Sequence, residues 1–256
     1  MKVKTPKLTV VGAGPGDVDL ITIKAIKVLK SADVVLYDAL VNADLLAYVN
    51  PNAELIFVGK RLGCYKYQQE QINDLIVARA KSHGHVVRLK GGDPFIFGRG
   101  AEEMEFAANE NIKVAVVPGI SSSLAVPAYQ NIPLTKRGSS ESFWVITGTT
   151  KEHQISGDVK LAAKSNATVV VLMGMSKLPQ IVKLFKNEGK HNLPVAIIQD
   201  GTTSREKVGI GTVDTILEVV QEKKLSNPAI IVLGEVVNHR AILQSVSQAQ
   251  LSPIAV

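Results

Sequence analysis

The chain has 256 residues, 46% of them hydrophobic and 20% charged, and its 29 Lys and Arg against 23 Asp and Glu give a formal net charge of +6. Its one cysteine, Cys64, excludes a disulfide framework and a cysteine-rich zinc site, and no apolar stretch approaches the roughly 18 residues that a membrane helix needs. The basic excess favours a polyanionic partner, but aromatic residues are only 5% and the Lys and Arg are scattered, so an acidic small molecule fits at least as well as nucleic acid.

The opening MKVKTPKLTVV carries neither a signal-peptide core nor a transit sequence, so a cytoplasmic location is expected. KLTVVGAG reads as a buried strand ending in a turn, and LITIKAIKVLKSA after it carries apolar residues at helical spacing. ADVVLYD and AELIFVG are two further strands. The clearest helix is predicted near Gln68 to Ser82, closed by Gly84. HVVRLKGGD is again a strand, GRGAEEMEFAANENI a helix beginning near Gly98 or Arg99, and IKVAVVPG a strand. The polar stretch LTKRGSSES, from about Thr135 to Ser142, then breaks the pattern. FWVITGT, ATVVVLMGM, LPVAIIQDGTT, REKVGIGTV and NPAIIVLGEVV follow as strands with helices between them. REKVGIGTV comes so soon after VAIIQDG that the two are expected to pair antiparallel. The expected organisation is an α/β fold in two α/β domains, residues 1–137 and 138–246, with 247–256 as a flexible tail.

Gly12, Gly14 and Gly16 in VGAGPGDVDL raise the question of a dinucleotide loop. That loop needs a third glycine three residues after the second, whereas Gly16 follows Gly14 by two. Pro15 also removes a backbone N–H where a pyrophosphate would want one. A tight β–α turn without any ligand is the plain alternative. HVVRLKGGDPFIFGRG is more specific. Gly91 and Gly92 at a strand's carboxyl end let a ligand approach the backbone, and Asp93 before Pro94 is expected to be extended, with its carboxylate free to accept from an amine or a hydroxyl. An Asp-Pro turn is the simpler reading of the same residues.

VGAGPGD, LYDAL, VGKR, RLKGGDPFIFGRG, VVPGISSS, IPLTKRG and VLMGM occur in this order, and through them the chain resembles the uroporphyrinogen III C-methyltransferases of the tetrapyrrole methylase family over about residues 8 to 240. KGGDPFIFGRG is highly specific, while GAGPGD is shared across the wider family. The resemblance implies a homodimer whose subunits each have two α/β domains with a ligand cleft between them. It implies two successive methyl transfers from S-adenosylmethionine to uroporphyrinogen III, by way of precorrin-1 to precorrin-2, with S-adenosylhomocysteine as the other product. Precorrin-2 leads to siroheme, cobalamin or heme d1. Dinucleotide binding then drops out, and a carboxylate-rich tetrapyrrole gives the basic balance a reason.

By the same resemblance, Pro15, Gly91, Gly92, Asp93, Ile96, Ser121, Ser122, Met173 and Gly201 bind the cofactor. Met173 has strand-core packing as its alternative. Asp38 and Lys60 match positions that serve the family as proton acceptor and donor; a strand-end cap and a solvated lysine are the bland readings. Arg99 and Glu102 are three apart, on one helix face. They make either a surface ion pair or an orienting pair from which Arg99 clamps a substrate carboxylate, with Arg137 meeting another. Three departures touch the pattern: Ser121 where Thr is usual, Lys136 where most relatives have His, and Tyr65-Lys66 where His-Ser is common. The five histidines show no ligand spacing, so no metal is expected, and His83 and His85 are placed in a solvent-facing turn. Cys64 has no partner for nucleophilic work. A methylase acting on later precorrins and a catalytically silent binding protein are the rival readings.

Overall fold

A computed structural model of the chain describes residues 5–59 and 67–251. Two compact units are present, one ending at Ser122 and the other beginning at Ser123. The first contains β1 (Lys7–Gly12), α1 (Ile23–Leu29), β2 (Val34–Tyr37), β3 (Glu54–Phe57), α2 (Gln69–His83), β4 (His85–Lys90), α3 (Gly100–Asn109) and β5 (Lys113–Val117). Its five strands run in the order β3-β2-β4-β1-β5 and all pairs are parallel. A parallel sheet is covered on both faces, which is why these strands read as nearly unbroken apolar runs. Val11, Val35, Val87 and Leu89 pack on Ala25 and Leu29 of α1. Leu8, Val10, Leu36 and Val86 face the other way, onto Ile72 and Ile76 of α2 and Ala107 of α3.

Local chemistry sets the helix ends. The Thr22 hydroxyl accepts from the Ala25 amide to start α1. A capping box between Gln68 and Gln71 opens α2, and Gly84 at φ 108° closes it, as the sequence predicts. His85 departs from its expected solvent-facing turn. It opens β4, where its ring meets the Thr9 hydroxyl at 2.9 Å and the Ser31 carbonyl at 3.2 Å, and burial lowers its pKa. The register with β1 draws it in, because Lys7 lies opposite His85.

The second unit contains β6 (Phe143–Thr147), α5 (Gly157–Lys164), β7 (Thr168–Leu172), α6 (Leu178–Asn187), β8 (Pro194–Gln199), β9 (Lys207–Thr212), α7 (Ile216–Glu222), β10 (Ala229–Leu233) and the final helix His239–Leu251. Its sheet order is β6-β7-β10-β8-β9. Only β6 and β7 pair in parallel; the β8–β9 pairing is antiparallel, as the closeness of the two runs suggests. The unit begins before the polar stretch near residue 138, because the helix Ser122–Tyr129 and the turn after it already bury Val126 and Ile132 against Val170, Ala196 and Ile198. Thr135–Ser142 is a turn closed by Lys136 and Ser140 within this unit. The last helix carries on past residue 247 to Leu251, since no Gly or Pro stands before Pro253 to stop it.

Phe185, 1% exposed, fills the space between α6 and the second sheet. Phe185→Ala is expected to lower the unfolding free energy by about 3–5 kcal/mol in urea denaturation. A loss under about 1 kcal/mol would mean that this core is not packed as described.

Candidate functional site

The carboxyl ends of β1, β4 and β5 come together at one point in the first unit. Gly14 and Gly92 exchange backbone hydrogen bonds of 3.2 and 2.7 Å, and the Ala13 amide donates to the Lys90 carbonyl at 2.8 Å. Glycine is required here by contact: a Cβ on Gly119 would lie 2.3 Å from the Gly92 oxygen, and one on Gly12 would lie 2.5 Å from the Gly119 Cα. The two glycine loops of the sequence are therefore one crossing. With the Gly14 and Gly92 amides spent on each other, neither is offered to a pyrophosphate.

Asp93 differs from its expected free state. Its Oδ1 accepts from the Phe95 amide at 2.8 Å and its Oδ2 from the Gly119 amide at 3.1 Å, so the carboxylate locks the loop onto the crossing. Gly92 has φ +65°, and the nearest atoms to a Cβ there are the Ser122 N at 3.7 Å and the Ser121 Cα at 3.9 Å. That open side is walled by Ser121 and Ser122, with Ile96 exposed on the turn that follows Asp93. Pro15 continues the chain from Gly14. The structure thus brings Gly91, Gly92, Asp93, Ser121 and Ser122 together.

Met173, Gly201 and Arg137 belong to the second unit. Met173 is not core: it is half exposed, sits at φ 54° after β7, and its carbonyl accepts from the Thr149 hydroxyl at 2.9 Å. Gly201 lies between Asp200 and Thr202, both at positive φ, and a Cβ on it would be 2.4 Å from Val126 Cγ1. Arg137 is exposed on the turn between Lys136 and Ser140.

A cleft of about 310 Å³ opens within the same unit as the crossing, lined by Asp38, Leu40, Gly59, Tyr67, Gln69 and Arg99 among others. Asp38 is more than a strand-end cap. One oxygen accepts from the Leu40 amide at 3.1 Å, and the other pairs with Arg88 Nη2 at 3.3 Å. Arg99 caps α3 in the left-handed conformation, φ 59°, and its Nε and Nη2 both donate to Glu102 Oε2, at 2.9 and 2.6 Å. Lys60, Cys64, Tyr65 and Lys66 lie outside the described residues.

Sequence reasoning missed a buried ionic cluster behind Asp38. Arg88, Lys90 and Glu103 are each at least nine-tenths buried, and both cations reach Glu103 Oε1, at 3.2 and 2.9 Å. Burial, and then the neighbouring Arg88, push the Lys90 ammonium below its ordinary pKa, while Glu103 pulls the other way. A signal was present: in VVRLK two cations stand two apart in a central strand, so both point to one buried face. Among the described residues, no helix is long and apolar enough to cross a membrane.

Comparison with known proteins places this geometry among methylases. The family profile described as Tetrapyrrole (Corrin/Porphyrin) Methylases matches residues 7–217. A uroporphyrinogen-III C-methyltransferase of Methanocaldococcus jannaschii is 47% identical over 236 residues, covering 91% of this chain and 98% of that protein. The crystal structure of a uroporphyrin-III C-methyltransferase from Thermus thermophilus, complexed with S-adenosylhomocysteine, is 37% identical with a TM-score of 0.78, covering 91% of this chain and 99% of that one. A cobalt precorrin-4 methyltransferase superposes as well, with a TM-score of 0.80 over 90% of this chain and 95% of that one, but at 29% identity. Fold alone therefore does not choose between the substrates named for these relatives.

Gly119→Ala drives a Cβ into backbone atoms and is expected to cost several kcal/mol of stability, of the order found for severe steric insertion. Gly157→Ala, with open space around it, serves as the silent control. Equal melting temperatures for the two variants would contradict the crossing.

Proposed function

Because the chain belongs to the tetrapyrrole (corrin/porphyrin) methylase family, we propose that it methylates uroporphyrinogen III twice, by way of precorrin-1, to give precorrin-2. The 47% identity over almost the whole length of a uroporphyrinogen-III C-methyltransferase carries this reading. S-adenosylmethionine supplies an electrophilic methyl on a sulfonium and departs as S-adenosylhomocysteine.

The residues present fit that cofactor. The open side of Gly92 is a cradle that a side chain would fill, and the backbone of Ser121 and Ser122 walls it. Gly91, Asp93, Ile96 and Pro15 complete the first unit's share of the binding residues. Met173, exposed and with a soft apolar side chain, and Gly201 are assigned to the cofactor by family resemblance alone. Asp93 acts through the loop it locks, and Gly92 is the point of closest approach.

Each transfer forms a carbon–carbon bond at a pyrrole carbon and breaks the sulfur–methyl bond, with sulfur keeping the electron pair. One proton must leave the methylated ring each time. Asp38 is the acceptor in this reading: its carboxylate is held by the Leu40 amide and by Arg88, and it opens to the cleft. Lys60 is assigned the matching donor role by family resemblance alone. Arg99, oriented by Glu102, holds a substrate carboxylate with its remaining N–H groups, and Arg137 meets a second one. Alignment of the reacting carbon and the methyl is worth roughly 7–11 kcal/mol in such reactions. A homodimer in the cytoplasm completes the proposal; the exposed apolar side chains of Phe95 and Phe97 are surface that a second copy would cover.

Anaerobic incubation with uroporphyrinogen III and S-adenosylmethionine, followed by mass spectrometry, is expected to show a product with two added methyl groups. No methylated product, with S-adenosylhomocysteine still bound, would direct the chain to a later corrinoid substrate. Arg99→Ala is expected to abolish turnover while calorimetry shows unchanged S-adenosylhomocysteine affinity. Loss of that affinity would place Arg99 on the cofactor side instead.

A further inference from the structure

We infer that Glu103 and Lys90 are positioning residues, which act through Arg88 to hold the Asp38 carboxylate in its working orientation. The inference rests on the reading of Asp38 as the proton acceptor.

The Arg88 guanidinium has every edge engaged. Nε donates to Glu103 Oε1 at 3.2 Å, Nη1 to the Leu89 and Leu36 carbonyls at 2.9 and 3.4 Å, and Nη2 to Asp38 Oδ2 at 3.3 Å. Two anions therefore hold one planar fork, Glu103 at Nε and Asp38 at Nη2. Glu103 Oε1 also receives Lys90 Nζ at 2.9 Å and Gln69 Nε2 at 3.2 Å. Glu103 Oε2 is buried and has no hydrogen-bond partner among the described residues.

Such a cluster is an expensive way to fill a core. Well-packed apolar side chains in place of a buried ion group are often neutral or stabilising, and the same sheet face carries Leu8, Val10, Leu36 and Val86 without difficulty. Of the four charged groups only Asp38 lines the cleft; the side chains of Arg88, Lys90 and Glu103 are 4%, 6% and 0% exposed. The cluster reaches the cleft at two points: through Arg88 at Asp38, and through Glu103 at the Gln69 amide, which carries no charge. Lys90 shares Glu103 with Arg88 and so limits how far Glu103 draws the guanidinium. Without Lys90 the fork is pulled toward α3 and off Asp38; without Glu103 it is loose on that edge.

Steady-state kinetics on the full chain test this. Glu103→Gln keeps size and hydrogen-bonding capacity, and kcat is expected to fall about tenfold to a hundredfold, the scale of a small misplacement of a reacting group. The KM for uroporphyrinogen III and the affinity for S-adenosylhomocysteine are expected to stay within about twofold, which a general loss of structure would not allow. In an Asp38→Asn background, Glu103→Gln is expected to add nothing further. An unchanged kcat for Glu103→Gln, or a multiplicative loss in the double variant, overturns the inference and leaves Asp38 in its role. Near-normal turnover by Asp38→Asn alone removes the proton-acceptor reading and the inference with it. Should Glu103→Gln fail to bind S-adenosylhomocysteine, Lys90→Met carries the same test, with the same kcat-only loss expected.

Discussion

Three chain segments meet at the carboxyl edge of the first sheet at separations that only glycine permits. Gly12, Gly92 and Gly119 are packed backbone to backbone, and Gly14 pairs with Gly92 through two hydrogen bonds. A methyl group on Gly12 or Gly119 would occupy space already held by main-chain atoms. From this constraint the local architecture follows. The loop after β1, the loop after β4 and the turn into the helix Ser122–Tyr129 become one surface, and Asp93 fastens it by accepting from Gly119. The same bonds withdraw the amides that a dinucleotide phosphate would use, and Gly92, at positive φ, keeps one open side.

Beside this apolar and backbone-built crossing lies its electrostatic counterpart. β4 carries both: Gly91 and Gly92 follow its end, while Arg88 and Lys90 point from its last turns of pleat toward α2 and α3. One strand thus positions both the open side of Gly92 and the charge pair behind Asp38. Moving β4 in register by one residue would put both cations on the α1 face and take Arg88 away from Asp38.

Much of this was legible in the chain. Apolar runs gave the strands, the capping residues around Gln68 and Gly84 bounded α2, and the short connection between VAIIQDG and REKVGIGTV implied the antiparallel pair. KGGDPFIFGRG pointed to the family. What was not legible depends on contacts far apart in sequence. Nothing local says that Gly14 and Gly92 bond to each other, so two loops were read separately. Asp93 before proline looks like a free acceptor until Gly119 is placed beside it. Arg88 and Lys90 show their shared face by standing two apart in a strand, but that Glu103 meets them there is decided by α3 closing over the sheet. The boundary between units was set late for a similar reason: Val126 belongs to a core whose other members come much later in the chain.

The most direct test of the central claim is a crystal structure of the protein with S-adenosylhomocysteine bound. The ligand is expected against Gly91, Gly92 and Asp93 on the open side of the crossing, with Ser121 and Ser122 as its wall and the Asp38–Arg99 cleft left for substrate. A ligand seated instead in that cleft, with the glycine crossing uncovered, would contradict the account of both sites.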